Sequence, residues 1–158
     1  SGCLTRNLNN PQKRRDNIIY AVDVPESVYE YLRRNCRSKV VRVTHEILPH
    51  LKTEIRLKLA ERLLDRYRKA KCVVTSRLHA CMPCLAFETP VLFITNSPQA
   101  PRYHGLVELA KYCSEEKLLS GQADFNFDNP PENPKAYLEI RNDLIQRLNS
   151  WVKMHSDQ

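Results

Sequence analysis

The stretch that decides the fold of this chain reads VVTSRLHA over residues 73–80 and continues to TPVLFI over residues 89–94. It predicts a buried strand, a polar turn carrying Arg77 and His79, a short apolar helix and a second buried strand. Open α/β sheets bind anions where a strand's carboxyl end meets a helix's amino end, because helix N–H groups are unpaired there and the dipole favours negative charge. Arg77 and His79 therefore place a fixed cation and a titratable group at an anion-binding junction.

Strands and helices alternate on both sides of this stretch. Strands are predicted over residues 17–22, 40–44, 72–75 and 90–94, with a short edge strand at 125–127. Helices are predicted over residues 25–34, 51–70, 78–87, 105–113 and 135–153. Such alternation is typical of right-handed βαβ units around a parallel sheet. The predicted fold is α/β, a Rossmann-like three-layer sandwich forming a single domain over residues 1–158, with residues 1–16 as a first segment or linker.

Two helices carry further signals. The helix over residues 51–70 is predicted from apolar side chains that recur every four residues and should form one buried stripe. These are Leu51, Ile55, Leu59, Leu63 and Tyr67. Pro83 lies inside the helix over residues 78–87 and is expected to shorten or kink it, because proline lacks a backbone N–H.

Composition limits the classes of function. The chain has 158 residues, 42% of them hydrophobic, and no apolar run approaches the ~18 residues of a membrane helix. Residues 1–71 carry 17 Lys and Arg against 8 Asp and Glu, whereas residues 72–158 carry 8 against 10. A basic half is compatible with nucleic acid, an acidic glycan or a phosphorylated substrate. Because no nucleic-acid module is present and many of these charges recur along a helix, a solvated face is favoured and nucleic-acid binding is not expected.

Cysteine and glycine usage exclude further classes. The six cysteines lie largely in apolar runs, which favours core packing and a reducing compartment such as the cytoplasm, with a Golgi lumen as the alternative if an upstream anchor exists. Cys81 and Cys84 form a CxxC motif with no second ligand pair, so packing is favoured over zinc or redox chemistry. The three glycines form neither a dinucleotide-binding turn nor a P-loop.

Several polar residues follow the predicted strands. His45 follows the second strand and would share the sheet edge with His79, although a capping or structural role for the Thr44-His45 pair is an equal alternative. Arg102 and, more weakly, His104 lie in a loop after the fourth strand, where ligand contacts are common. Asp23 follows the first strand and is interpreted as a helix cap, with a pocket carboxylate as the alternative.

The chain resembles the polysaccharide pyruvyl transferase family. The resemblance covers about residues 1–110 and rests mainly on the Arg-Leu-His block at 77–79 between its strand and helix. Supporting motifs are SGCLT at 1–5, Val22-Asp23, Thr44-His45, PCLAF at 83–87, TPV at 89–91 and the Arg-x-x-Gly-Leu pattern at 102–106. Glu88 departs from the pattern, since many relatives have glycine there.

The resemblance implies transfer of a pyruvyl group from phosphoenolpyruvate to two hydroxyls of a sugar or polysaccharide, forming a ketal. Arg77, with Ser76 and Thr75 beside it and Arg102 nearby, would bind the donor. His79 would be the possible general acid, and His45 is the second candidate catalytic residue. No metal and no cofactor besides the donor substrate is implied. The family's fold resembles the GT-B glycosyltransferases, so the chain would be the C-terminal, donor-side half of a longer two-domain enzyme whose N-terminal domain is missing here.

Two other interpretations stay open. The chain could be half of a GT-B-like glycosyltransferase that binds a nucleotide sugar. It could instead be a non-catalytic domain whose basic half binds acidic glycan or nucleic acid. Ligand specificity separates these hypotheses from the pyruvyl transferase interpretation. Only the non-catalytic domain predicts tight binding that depends steeply on salt and not on Arg77.

Overall fold

A computed structural model describes residues 15–103 and 105–156. Its centre is a five-stranded parallel sheet with the order β2-β1-β3-β4-β5. The strands are β1 Ile18–Val22, β2 Lys39–Val43, β3 Cys72–Thr75, β4 Val91–Ile94 and β5 Lys111–Cys113. The three central strands are almost wholly buried, as a sheet covered on both faces requires.

Helices cover both faces of the sheet. They are α1 Glu26–Asn35, α2 Thr53–Lys69, α3 Leu78–Ala86, α4 Glu115–Leu119 and α5 Ala136–Ser156, with a 3-10 turn at Val107–Leu109. Residues of α2 and α3 share one apolar core with alternate strand residues, and residues of α1 and α4 share the other. The α/β sandwich predicted from the sequence is confirmed. Among the described residues, no helix combines the length and apolar character needed to cross a membrane.

Strand alternation sends side chains into two separate cores. Tyr20 and Val22 of β1 enter the core under α2 and α3, whereas Ile19 and Ala21 enter the core under α1. In the parallel register, Val22 lies opposite both Val43 of β2 and Thr75 of β3. The carboxyl ends of these three strands therefore meet at one edge, and the residues that follow them become neighbours.

Two predicted elements are wrong. The helix expected over residues 105–113 is a 3-10 turn followed by β5, which pairs in parallel with β4. The edge strand expected at 125–127 is irregular, and the apolar side chains there serve packing instead. Phe125 is buried in the second core and contacts Phe127 at a centroid distance of 5.1 Å. A three-residue strand is too short to show a period in the sequence.

The predicted stripe on α2 is buried only at its carboxyl-terminal end. Tyr67 is buried and Leu63 packs against the core, whereas Ile55 is 44% exposed. A similar gradient is seen on α5, where Tyr137 is buried and Trp151 is 56% exposed. Helical period predicts which side chains share a face, but not how far along the helix that face finds a partner.

Helix α3 is short and lies within the core. Residues 80–86 are all buried, including Cys81 and Cys84, whose sulfurs are free thiols. Pro83 lies inside the helix, as expected, and the helix ends three residues later at Ala86. Burial raises the pKa of both thiols, so they stay protonated at neutral pH and pack as small apolar groups.

The turn after α3 shows why glycine would suit position 88 better than glutamate. Its φ angle is +56°, in the left-handed region that glycine adopts without strain. The N–H of Glu88 donates to Leu85 and that of Thr89 to Cys84, which is the hydrogen-bond pattern of a Schellman helix end. Glycine is the usual residue at this position of a helix end, so Glu88 carries a side chain that is strained against its backbone.

Candidate active site

Strands β2, β3 and β4 end in the same threonine-based turn. The hydroxyl oxygens of Thr44, Thr75 and Thr95 each accept the backbone N–H two residues onward, at 3.0, 3.0 and 3.2 Å respectively. Such turns redirect the chain as soon as the strand ends, because the hydroxyl replaces a backbone acceptor. They bring the segments 44–46, 75–77 and 95–97 to the carboxyl edge of the sheet.

Asp23 ends β1 differently and connects its neighbours. Its φ angle is +49°, an uncommon conformation for a residue other than glycine, although aspartate tolerates it better than most. Its carboxylate Oδ2 accepts the backbone N–H of His45 at 3.0 Å and the Nε–H of Arg77 at 3.0 Å. Its carbonyl oxygen accepts the hydroxyl of Ser76. The interpretation of Asp23 as a helix cap is therefore wrong, since Pro25 precedes α1 and no side chain caps that helix.

The environment keeps Asp23 ionised. Burial alone would raise the pKa of its carboxyl group, but the hydrogen bonds from Thr44 and the His45 amide, together with the charge of Arg77, lower the pKa below its ordinary value. Its side chain is only 11% exposed. Asp23 is thus a largely buried, charged anchor for the residues that follow β2 and β3.

Arg77 stands at the amino end of α3 in an extended conformation, with φ −103° and ψ 121°. Its Nε is held by Asp23, and one terminal nitrogen lies 3.8 Å from a carboxylate oxygen of exposed Glu46. The side chain is 46% exposed. Since a guanidinium binds anions through a planar fork of donors, anchoring Nε leaves the terminal nitrogens to face a ligand.

A cavity of about 590 Å³ opens at this edge of the sheet. Its lining combines residues at or after the ends of β1, β3 and β4 with the first residue of α4: Asp23, Val24, Pro25, Ser76, Arg77, Ile94, Thr95, Asn96, Ser97, Arg102, Tyr103 and Glu115. Arg102 lies with its guanidinium 4.6 Å from the ring centroid of Tyr103 and donates to its hydroxyl. Tyr103 is buried against Phe93 in an edge-to-face contact at 5.4 Å. The cavity thus presents two cations, both held in place, together with the carboxylates of Asp23 and Glu115 and several hydroxyl and amide groups.

His45 lies behind this edge and pairs with a buried tyrosine. Its Nε2 is 2.6 Å from the hydroxyl of Tyr67 on α2. Burial lowers the pKa of His45, and the charges of Arg77 and His79 lower it further, against the opposing effect of Asp23. His45 is therefore neutral near pH 7.

The structure places the other predicted residues around the same junction. His79 is in the first turn of α3, where its ring is exposed and, within the described chain, makes no hydrogen bond. Its charge still reaches His45. Ser76 lines the cavity, whereas Thr75 is fully buried and uses its hydroxyl in the turn. His104 lies outside the described residues.

Sequence reasoning named two members of this network, Asp23 and Tyr67, without finding their roles in it, although the pocket carboxylate considered as the alternative for Asp23 is the interpretation that its place in the cavity supports. The anchoring role of Asp23 depends on β1 lying between β2 and β3, an order that the sequence alone does not fix. Tyr67 was predicted only as the last member of an apolar stripe. The hydroxyl of Tyr67 could have indicated its role, because a buried tyrosine usually finds a hydrogen-bond partner. Among the described residues, no group of three or more His, Cys, Asp or Glu side chains is arranged to hold a metal ion.

Comparison with known proteins agrees with the motif analysis. A search of curated proteins and a search of solved structures gave no significant match. The family model described as polysaccharide pyruvyl transferase matches residues 2–98, which include the ends of β1, β2 and β3 and the whole of β4. Because this match covers more than half of the sequence, the chain belongs to the polysaccharide pyruvyl transferase family of transferases.

Proposed function

We propose that the cavity at the carboxyl edge of the sheet binds phosphoenolpyruvate, and that this chain supplies the donor-binding half of a pyruvyl transferase. The observation that carries the proposal is the pair of arginines, Arg77 and Arg102, that line one cavity with Ser76 between strand and helix. Phosphoenolpyruvate carries a phosphate and a carboxylate, and each is suited to a guanidinium fork. The Asp23 carboxylate is already paired with Nε of Arg77, and the Glu115 carboxylate accepts the hydroxyl of Ser27, so the two guanidinium groups are the part of the lining that suits a compact anionic ligand.

The chemistry of ketal formation defines what the site has to do. A proton is added to the methylene carbon of phosphoenolpyruvate, which makes the neighbouring carbon electrophilic. A first sugar hydroxyl forms a bond to that carbon and loses its proton, the bond from that carbon to the phosphate oxygen breaks, and a second hydroxyl completes the ketal. Of the two hydroxyl protons, one balances the new methyl group and the other leaves with phosphate. The reaction needs a proton donor and stabilisation of anionic groups.

The side chains at the edge can be given these roles. Arg77 holds the phosphate or carboxylate through the terminal nitrogens that Asp23 leaves available. Arg102 holds the other anionic group from the β4 side. His79 is exposed next to Arg77 and supplies the proton. The acceptor sugar approaches from the open side of the cavity, where a second domain completes the site, as the resemblance to two-domain GT-B enzymes implies.

Calorimetric titration of the chain tests the proposal. Phosphoenolpyruvate is expected to bind, and Arg77→Ala to weaken its affinity about 100-fold, because a hydrogen-bonded charge pair is lost. Arg147→Ala is the matched control, since Arg147 is an exposed arginine that pairs with Asp143 on α5 and should leave the affinity unchanged.

The same titration separates the rival functions. UDP- and GDP-sugars are used in parallel with phosphoenolpyruvate, and double-stranded DNA and an acidic glycan are titrated at two salt concentrations. Binding of nucleotide sugars without phosphoenolpyruvate would replace the proposal with a glycosyltransferase function. Tight, salt-sensitive binding of the polyanions that survives Arg77→Ala would replace it with a non-catalytic one.

A further inference from the structure

Tyr67 and His45 form a hydrogen-bonded pair at the boundary between the core and the candidate site. The tyrosine hydroxyl lies 2.6 Å from Nε2 of His45, and the two ring centroids are 6.0 Å apart. Tyr67 is 1% exposed, whereas His45 is half-buried. The backbone N–H of His45 is held by Asp23, the same carboxylate that anchors Arg77. His45 is therefore held both at its backbone N–H and at the Nε2 atom of its ring.

Counting hydrogens identifies the donor in this pair. Among residues 15–103 and 105–156, the Tyr67 hydroxyl has His45 as its hydrogen-bond partner and no other. If Nε2–H donated to the tyrosine oxygen, the buried O–H would be left without an acceptor, which costs about 1–3 kcal/mol in general. If the hydroxyl donates to an unprotonated Nε2, both groups are satisfied. The second arrangement is therefore the stable one.

We propose that Tyr67 is a positioning residue that donates to Nε2 of His45 and thereby fixes His45 as the neutral tautomer with its hydrogen on Nδ1. The two nitrogens of imidazole point in widely different directions, so Nδ1–H is directed away from the buried hydroxyl. His45 is not among the residues that line the cavity, but its neighbour Glu46 lies 3.8 Å from a terminal nitrogen of Arg77. Resting on the proposed function, the inference gives this N–H one task, to donate a hydrogen bond to an anionic oxygen of phosphoenolpyruvate that Arg77 holds on the β2 side. Proton transfer is then left to His79.

The electrostatic surroundings agree with a neutral pair. Burial raises the pKa of the Tyr67 hydroxyl, which keeps its hydrogen. Burial also lowers the pKa of His45, and the charged groups that face the imidazole are Asp23, Arg77 and His79. A neutral imidazole that acts as a hydrogen-bond donor is an established catalytic device, and an imidazole locked in this tautomer cannot use Nε2 as a general base.

NMR of the chain with ¹⁵N-labelled histidine tests the tautomer without requiring any activity. Correlations between the ring nitrogens and carbon-bound hydrogens should show His45 protonated at Nδ1 and unprotonated at Nε2 near pH 7, with its signals assigned from His45→Asn. Tyr67→Phe, which keeps the buried ring, should shift the population toward the Nε2–H tautomer. Protonation at Nε2 in the unmodified chain, or an unchanged tautomer in Tyr67→Phe, would overturn the proposal.

A matched pair of substitutions tests the donor role. The amide of asparagine reaches as far as Nδ1 of histidine, whereas that of glutamine reaches as far as Nε2. His45→Asn should therefore retain phosphoenolpyruvate affinity within about threefold, and His45→Gln should lose about tenfold or more, the value of one hydrogen bond to a charged group. Equal losses in both variants would refute the assignment of Nδ1–H. If the unmodified chain does not bind phosphoenolpyruvate, the proposed function fails, while the NMR result still decides the tautomer.

Discussion

The carboxylate of Asp23 and the guanidinium of Arg77 meet 3.0 Å apart, across the ends of neighbouring strands β1 and β3. The same carboxylate oxygen accepts the amide of His45 from the far side, at the end of β2. One side chain thus connects three strand ends and sets the direction in which Arg77 faces the cavity. Asp23 makes this connection with its backbone in the left-handed region. Backbone strain of this kind is concentrated at functional sites.

Replacing Asp23 by asparagine should remove the charge and leave the backbone in place, because asparagine tolerates the left-handed region as well as aspartate does. We expect the free energy of unfolding at pH 7 to fall by about 1 kcal/mol, a value that allows for the half-exposed Arg77. The measurement is urea-induced unfolding of both proteins across pH.

The pH dependence of that difference has a definite sign. The pKa of Asp23 is lower in the folded chain than its ordinary value, so the folded carboxyl releases its proton more readily than the unfolded one. Its stabilisation is therefore complete above the ordinary value and is lost as pH falls through the folded value. The two stability curves should converge in acid. Curves that stay parallel down to the lowest pH would show that the charge of Asp23 does not stabilise the fold.

Arg77→Lys and Arg102→Lys test whether the site needs guanidinium forks or only positive charge. Lysine keeps the charge but loses the planar donors, and at position 102 it also loses the stacking on Tyr103. We expect each substitution to weaken phosphoenolpyruvate binding about tenfold, by analogy with the loss of one charge-assisted hydrogen bond. Affinities equal to that of the unmodified chain would show that only the charge matters.

The sequence predicted most of the sheet because its central strands are buried on both faces and appear as uninterrupted apolar runs, as in β3 and β4. It did not predict β5, whose three residues include only one buried side chain, Cys113. That strand is held by pairing with β4, an interaction between distant segments that leaves little trace in a local pattern. Local periodicity thus predicts elements with their own apolar signal and misses those stabilised by a neighbour.

The residues of the candidate site likewise fall into those that the sequence could predict and those that it could not. The positions of Arg77 and His79 could be predicted, because Arg77 lies between a strand and a helix and His79 lies in the first turn of that helix. The anchoring by Asp23 could not, because it requires β1 to lie between β2 and β3. The pairing of Tyr67 with His45 requires α2 to pack under the strand ends, and the partners are 22 positions apart in the sequence. These contacts are set by tertiary packing, so they appear only in the folded chain.

Glu88→Gly should stabilise the chain. At φ +56° a side chain is strained against the backbone, whereas glycine is not, and relief of this strain is worth about 1 kcal/mol. Glu88→Ala is the control, because alanine removes the carboxylate but keeps the strained Cβ atom. Guanidinium unfolding should give a higher midpoint for glycine and little change for alanine. A gain of the same size in both variants would attribute the effect to the charge of Glu88 instead.

The side chain of Asn133 holds the start of β4 through two hydrogen bonds, and replacing it tests their contribution to stability. Its Oδ1 accepts the N–H of Val91 at 3.0 Å, and its Nδ2 donates to the carbonyl of Thr89 at 2.7 Å, both in buried surroundings. Asn133→Ala leaves one donor and one acceptor of the backbone unpaired, and the free energy of unfolding should fall by about 2–3 kcal/mol. Asn126 is the matched control, since its side chain also makes two hydrogen bonds to the backbone, both as an acceptor, but is exposed. Asn126→Ala should cost less than about 1 kcal/mol, because water replaces the lost bonds. Equal losses at the two positions, measured by urea unfolding, would show that burial does not determine the effect.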